Sequence, residues 1–140
     1  MKILLAVDGS AYTKKMLAYL VSHPQFLHAD NEYHAFTAVP ALPPRVIAHL
    51  DKATTDDFYR ETAEKVFGPI DLFLARHKVA LKTRFKPGSP GQLIADQAER
   101  GKFDLVVMGS HGHGSLKGLV MGSVATSVLA HCKVPVLIVR

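Results

Sequence analysis

The sequence predicts an α/β domain built around a mostly parallel sheet, and three observations carry that expectation. Short apolar runs rich in branched residues alternate with longer stretches whose apolar residues fall at helical spacing. Most of these runs are apolar throughout, as strands buried on both faces are. Each is separated from the next by enough chain for a crossover helix, which parallel neighbours require. With 140 residues, 48% of them apolar, the chain suffices for one core, so residues 1–140 are read as a single domain.

Residues 2–7 (KILLAV) form the first strand, closed by Asp8-Gly9. Ser10 or Thr13 is placed to cap the next helix, in which Met16, Leu17, Leu20 and Val21 share a face until His23-Pro24 ends it. Residues 33–39 (YHAFTAV) read as the second strand. Pro40, Pro43 and Pro44 then predict an extended loop, because proline neither continues a helix nor sits in a central strand. Over residues 51–77 the period of Phe58, Thr62, Val66, Ile70, Phe73, Leu74 and His77 is helical, with Gly68-Pro69 expected to kink or split the helix. Residues 79–85 (VALKTRF) alternate apolar and basic side chains, as a strand near a sheet edge does. Pro87-Gly88-Ser89-Pro90 makes a turn with Ser89 as N-cap and Pro90 at the first helical position, ahead of Leu93, Ile94, Gln97 and Ala98. Residues 103–108 are strand four, residues 122–130 a helix rich in small residues, and residues 134–139 (VPVLIV) strand five.

The formal charge of +5 is uneven. Residues 1–70 hold 7 Lys and Arg against 8 Asp and Glu, whereas residues 71–140 hold 10 against 4. These cations are scattered without interleaved aromatics, which argues for a solvated surface and against a nucleic-acid partner. No apolar run approaches the roughly 18 to 20 residues of a membrane-spanning helix. Asp8 interrupts the first apolar run before a signal-peptide core forms, and the single Cys132 excludes an internal disulfide. A soluble, cytoplasmic protein is expected.

Five of the ten glycines fall within residues 109–123 (GSHGHGSLKGLVMGS), directly after strand four. A glycine-rich turn between a strand and a helix lets backbone N–H groups converge on an anion. No glycine is followed by Lys-Ser or Lys-Thr, so this is not a P-loop. The dinucleotide fingerprint also fails, because Gly112, Gly114 and Gly118 are spaced one residue too long and follow the wrong strand. His111 and His113 lack nearby Cys, Asp or Glu and supply too few ligands for a dedicated metal site. His113 is read as solvent-facing, His111 as near an anion, and Cys132 as a packing residue. Asp8 suits either a helix cap or a ligand contact, and the two roles can coexist.

The spacing Gly109-x-x-Gly112, nine residues, then Gly122-Ser123, together with VDGS after strand one and GSPGQLI before the third helix, resembles the nucleotide-binding, single-domain members of the universal stress protein family. The likeness spans the chain, from ILLAVDGS to CKVPVLIVR. It implies a Rossmann-like, open five-stranded parallel sheet of order 3-2-1-4-5 with helices on both faces, which brings Asp8 and Gly109 to one cleft. It further implies ATP as ligand, with Mg²⁺ arriving through the phosphates. Asp8 with the backbone of Ala6 and Val7 would take the ribose and adenine side, the main chain of Val39 the adenine edge, and Ser10 is counted among the nucleotide-binding residues. Gly109, Gly112, Gly122, Ser123 and Val124 would cradle the phosphates, with Met108, Ser110 and His111 completing the lining. The residues between Gly112 and Gly122 would form a flap.

The function this implies is an ATP-binding stress-response protein acting as a nucleotide-dependent regulatory module on a client protein that the sequence does not name. A nucleotide-independent dimeric adaptor and a slow ATP hydrolase are the alternatives. Transferases of the wider superfold use His-x-Gly-His, and His111-Gly112-His113 has the wrong spacing for that chemistry. The apolar last strand, with Val134 and Val139 at its ends, is expected to pair across a two-fold axis in a homodimer.

Overall fold

The computed structural model describes residues 1–114 and 118–140. In order along the chain come β1 (Lys2–Ala6), α1 (Ala11–Ser22), β2 (Glu32–Val39), α2 (Pro44–Ile47), α3 (Lys52–Arg76), β3 (Leu81–Pro87), α4 (Pro90–Arg100), β4 (Leu105–Gly109), α5 (Ser123–His131) and β5 (Val136–Val139). Among the described residues the sheet has five strands, ordered β3-β2-β1-β4-β5 and parallel at every pairing. β1 lies between β2 and β4, with Ala6 opposite Phe36 on one side and Met108 on the other.

The continuous apolar runs of β1 and β4 feed two cores at once, because successive side chains leave opposite faces of a strand. Ile3, Leu5 and Val7 join Met16, Leu17 and Leu20 of α1 and Tyr59, Ala63, Phe67, Ile70 and Leu74 of α3. Leu4, Ala6, Val106 and Met108 join Ile94 and Ala98 of α4 and Ala125 and Val128 of α5 on the other face. Helices therefore cover both faces of the sheet. α4 and α5 approach so closely that a Cβ on Gly91 would lie 2.2 Å from Ser127 Oγ.

Three local expectations are corrected. The proline cluster does not stay extended: α2 begins at Pro44, where a missing N–H costs a helix nothing. Gly68-Pro69 does not split α3, which runs unbroken through Pro69. Both residues lie on its exposed face, so water can solvate the carbonyl left without its donor, while Ala63, Phe67, Ile70 and Leu74 anchor the helix on either side. The third strand starts two residues later than its alternation suggests. Lys78 adopts a left-handed conformation (φ 59°) and Val79 N–H bonds back to Leu74 O, so this stretch finishes the helix.

Candidate functional site

Parallel sheets bind ligands beyond the carboxyl ends of their strands, where strand order reverses. Here β1 and β4 end side by side, and a cavity of about 380 Å³ opens above them on the α4–α5 side. That volume lies within the range of small-molecule sites, roughly 300–1,000 Å³. Its floor is Ala6, Met108, Ile94 and Ala125, and its rim carries Asp8, Gly109, His111, Gly112, Ser123 and Val124. Ten of the expected site residues thus come together: these six with Ala6, Val7, Met108 and Gly122.

The first wall is the turn from β1 into α1, held by side-chain bonds. Asp8 Oδ1 accepts the Ser10 N–H at 2.9 Å and the Thr13 hydroxyl at 2.9 Å, while Asp8 N–H donates to Thr13 Oγ1 at 3.2 Å. Gly9 makes the turn possible with φ 76°. Ser10 is the N-cap of α1 by position, but its side chain makes no capping bond. Its Oγ is buried without a protein partner, and Ser10 does not reach the cavity wall. Asp8 therefore organises the turn with Oδ1.

The second wall runs from β4 to α5, and Gly109, Gly112 and Gly122 are required there for clearance rather than for unusual dihedral angles. Of Gly109, Gly112, Gly114, Gly118 and Gly122, only Gly118 is left-handed (φ 93°). A Cβ on Gly109 would meet Tyr12 Cβ at 2.6 Å, so this glycine admits the first turn of α1. A Cβ on Gly112 would stand 2.7 Å from Asp8 Oδ2, which makes Gly112 the point where the two walls touch. At Gly122 the crowding comes from the backbone, with His111 Cα at 3.1 Å and Ser110 O at 3.2 Å.

The amide of Gly122 donates to Ser110 O at 2.7 Å and closes the loop on itself. The donors left pointing out of the α5 start are those of Ser123, Val124 and Ala125, which have no intrahelical acceptor. The helix dipole places partial positive charge at the same end. No Lys or Arg lines the cavity among the described residues, so its attraction for an anion comes from backbone groups.

The histidines tie the loop down. His111 Nε2 lies 2.9 Å from Leu119 O and donates to it, which leaves Nδ1 of a neutral ring to accept the Ser110 hydroxyl at 2.8 Å. Its ring also packs on Tyr12, centroid to centroid 4.9 Å. Both nitrogens are therefore engaged. His113 is exposed, as expected, yet it donates from Nε2 to Asp8 O at 2.7 Å and so crosses from one wall to the other. The expected flap includes residues 115–117, which lie outside the described residues.

Two further expected residues are placed outside the wall. Val39 points into the α1–α3 core and its carbonyl accepts the Gly88 N–H at 3.0 Å; alternation along β2 gives the cavity Ala38 instead. Ser110 is buried, with its N–H on Val139 O and its hydroxyl on His111, so it braces the loop from behind. Sequence reasoning missed Thr13, Ala38, Pro90, Ile94, His113, Gly114, Leu119 and Ala125 as lining. The offset of Thr13 from Asp8 is the one signal among these that a turn-plus-helix reading offers. Cys132 is half-buried against the α4–α5 core, and burial raises its thiol pKa, which fits packing rather than reactivity. No group of three or more His, Cys, Asp or Glu converges among the described residues, and no helix among them is long and apolar enough to cross a membrane.

Comparison with known proteins bears on this geometry. The model of the universal stress protein family matches residues 1–140. A universal stress protein of Synechocystis sp. is 40% identical over 155 residues, covering 99% of this chain and 97% of that one. A second from the same organism is 33% identical over 140 residues, but the chain spans only 42% of its length. Among solved structures, universal stress protein UspA from Lactobacillus plantarum superposes with a TM-score of 0.76 at 22% identity, covering 100% of this chain and 97% of that one. A family protein from Arabidopsis thaliana with AMP bound gives 0.71 at 14% identity, covering 99% and 90%. One from Archaeoglobus fulgidus in complex with dAMP gives 0.70 at 15%, covering 100% and 98%. The fold agrees with these structures, and the full-length family match agrees with the glycine spacing: the chain belongs to the universal stress protein family.

Proposed function

We propose that the cleft binds an adenine nucleotide, ATP foremost, and that the chain works as a nucleotide-dependent regulatory module in a stress response. The observation that carries this reading is the meeting of unlike walls at one switch point: a carboxylate turn at Asp8 faces the open N-terminus of α5 across a cavity of about 380 Å³. A nucleotide needs that pairing. Its ribose hydroxyls are donors that suit Asp8, whose Oδ2 is not used by the turn. Its phosphates suit the free amides of Ser123 and Val124 and the dipole behind them. The apolar floor of Ala6, Met108 and Ile94 suits a base, with the end of β2 at Ala38 beside it. Relatives with AMP and dAMP bound support the adenine class. Mg²⁺ would enter with the phosphates, held by their oxygens and water.

The reading is of a module that holds the nucleotide, with any hydrolysis slow. Both nitrogens of His111 are already engaged, and the one Asp8 oxygen that the turn leaves is assigned in this reading to the ribose and not to the terminal phosphate, so neither residue is poised as a general base. β5 ends the sheet with a largely apolar strand whose Val136, Leu137 and Ile138 remain partly exposed, which supports a homodimer through this edge. A cytoplasmic address and an unidentified client complete the proposal. Native mass spectrometry of the freshly purified protein tests it: a dimer carrying one adenine nucleotide per chain is expected. A dimer that carries none and takes up none on addition of ATP or AMP would leave the nucleotide-independent adaptor. A monomer at tens of micromolar in sedimentation would remove the β5 interface.

A further inference from the structure

The opposite end of the sheet carries a second concavity, distinct from the nucleotide cleft. β3 pairs with β2 on one side and, among the described residues, has no strand on the other. Beside that open edge α3 leaves a groove of about 340 Å³, walled by Arg60, Glu64 and Thr83 and bordered by the strand itself at Arg84, with Ala63, Phe67 and Phe85 as its apolar floor. Phe67 and Ala63 belong to the core, and Phe85 packs against it. The groove is thus an extension of the core that reaches the edge of the sheet.

The two faces of β3 differ in kind. Leu81 and Phe85 face α3, as their packing with its buried residues shows. Lys82, Arg84 and Lys86 alternate with them and face the other way. Lys82 confirms the direction: it bonds Glu32 at 2.8 Å, Glu32 also contacts His34, and His34 packs edge-on against Phe103 on the α4 side. Lys82, Arg84 and Lys86 are all exposed, and Arg84 and Lys86 make no ion pair among the described residues. An open strand edge therefore presents a row of cations on one face and an apolar groove on the other.

We propose that this edge docks an extended acidic segment of a partner protein as a sixth strand. Side chains of an added strand alternate just as those of β3 do, so acidic residues two apart would face the row of Lys82, Arg84 and Lys86. The apolar residue between them would enter the groove over Phe67 and Phe85. Charge decides the occupant. A second copy of this chain adding through the same edge would set two rows of cations against each other, which disfavours self-pairing. Unpaired backbone groups supply the affinity of such a strand, and the alternating acidic and apolar pattern supplies its specificity. The inference stands apart from the nucleotide cleft, because no residue lines both cavities.

The test uses a short fluorescent peptide alternating Glu with Val and carrying a central Leu, titrated by anisotropy into the full chain. A second peptide of the same charge has its alternate amides N-methylated. The expected result is saturable binding of the first and not of the second, with amide shifts in NMR confined to residues 60–67 and 81–86. Replacing the exposed pair, Arg84→Glu with Lys86→Glu, should weaken binding about tenfold without changing the circular dichroism. No binding up to about 1 mM would overturn the proposal. Equal binding of the N-methylated peptide would also overturn it, since charge alone would then explain the contact. Tighter binding of a single-stranded oligonucleotide, lost with the same charge reversal, would reassign the cations to nucleic acid.

Discussion

The two walls of the cleft are strand-to-helix turns of different length and opposite purpose, residues 7–10 in one and residues 110–122 in the other. From β1 to α1 the chain is fixed by side chains: one carboxylate oxygen holds the Ser10 amide and the Thr13 hydroxyl. From β4 to α5 it is fixed by Gly122 N–H on Ser110 O and by the histidine bonds to Leu119 O and Asp8 O, with Gly109, Gly112 and Gly122 where a Cβ would collide. One wall therefore offers an acceptor, and the other offers helix-start donors that have no acceptor among the described residues. The difference gives the cleft complementary halves without a lysine in its lining among the described residues, because the strand order brings two crossovers together.

The contact between the walls is the most sensitive point. Replacing Gly112 with Val drives a side chain into Asp8, whose Oδ2 lies 2.7 Å from the Cβ position, and should lower adenine-nucleotide affinity roughly a hundredfold by calorimetry. Asp8→Ala breaks the first wall alone. It orphans the Ser10 amide and the Thr13 hydroxyl, should cost about 1–3 kcal/mol in urea unfolding, and should weaken nucleotide binding about tenfold. Asp8→Asn keeps an acceptor for the turn, so it should restore most of the stability and little of the affinity.

Gly91→Ala loads the second wall from behind, since its Cβ would press Ser127 Oγ at 2.2 Å and push α4 from α5. A loss of about 1 kcal/mol or more in thermal unfolding is expected, with a smaller loss of affinity than at Gly112. The smallest effect lies outside the cleft. Glu32 is held down to about 2, from 4.5, by hydrogen bonds from Lys82 and then His34. A carboxylate with a lowered folded pKa adds stability above its unfolded pKa and loses it as pH falls, here between 4.5 and about 2. Glu32→Gln should flatten that slight dependence and leave nucleotide binding unchanged, because exposed ion pairs contribute little.

The same contrast explains what the sequence disclosed. The β1 and β4 walls begin on uninterrupted apolar strands, so their existence and Asp8, Gly109 and Gly112 at their ends were readable from local pattern. The family spacing supplied the strand order that no local pattern contains. Ala38, Ile94 and Ala125 entered the cavity only through alternation and helix packing, which look like ordinary core until the fold is assembled. By the same alternation the Val39 side chain enters the α1–α3 core while Ala38 lines the cavity. The histidines were hidden differently, since bonds to Leu119 O and Asp8 O depend on where a loop returns. Pro44 and Pro69 show the limit of proline as punctuation: one opens α2 and the other rides the exposed side of α3.

The most direct test is calorimetric titration of ATP and AMP into the wild-type chain and into Gly122→Lys. The substitution places a long side chain at the α5 start, where His111 Cα at 3.1 Å and Ser110 O at 3.2 Å already crowd its Cβ. Saturable binding near one nucleotide per wild-type chain, with no heat in a variant that still unfolds cooperatively, is the predicted result. No heat from either ligand with the wild type, or unchanged binding in the variant, would contradict the assignment of this cleft.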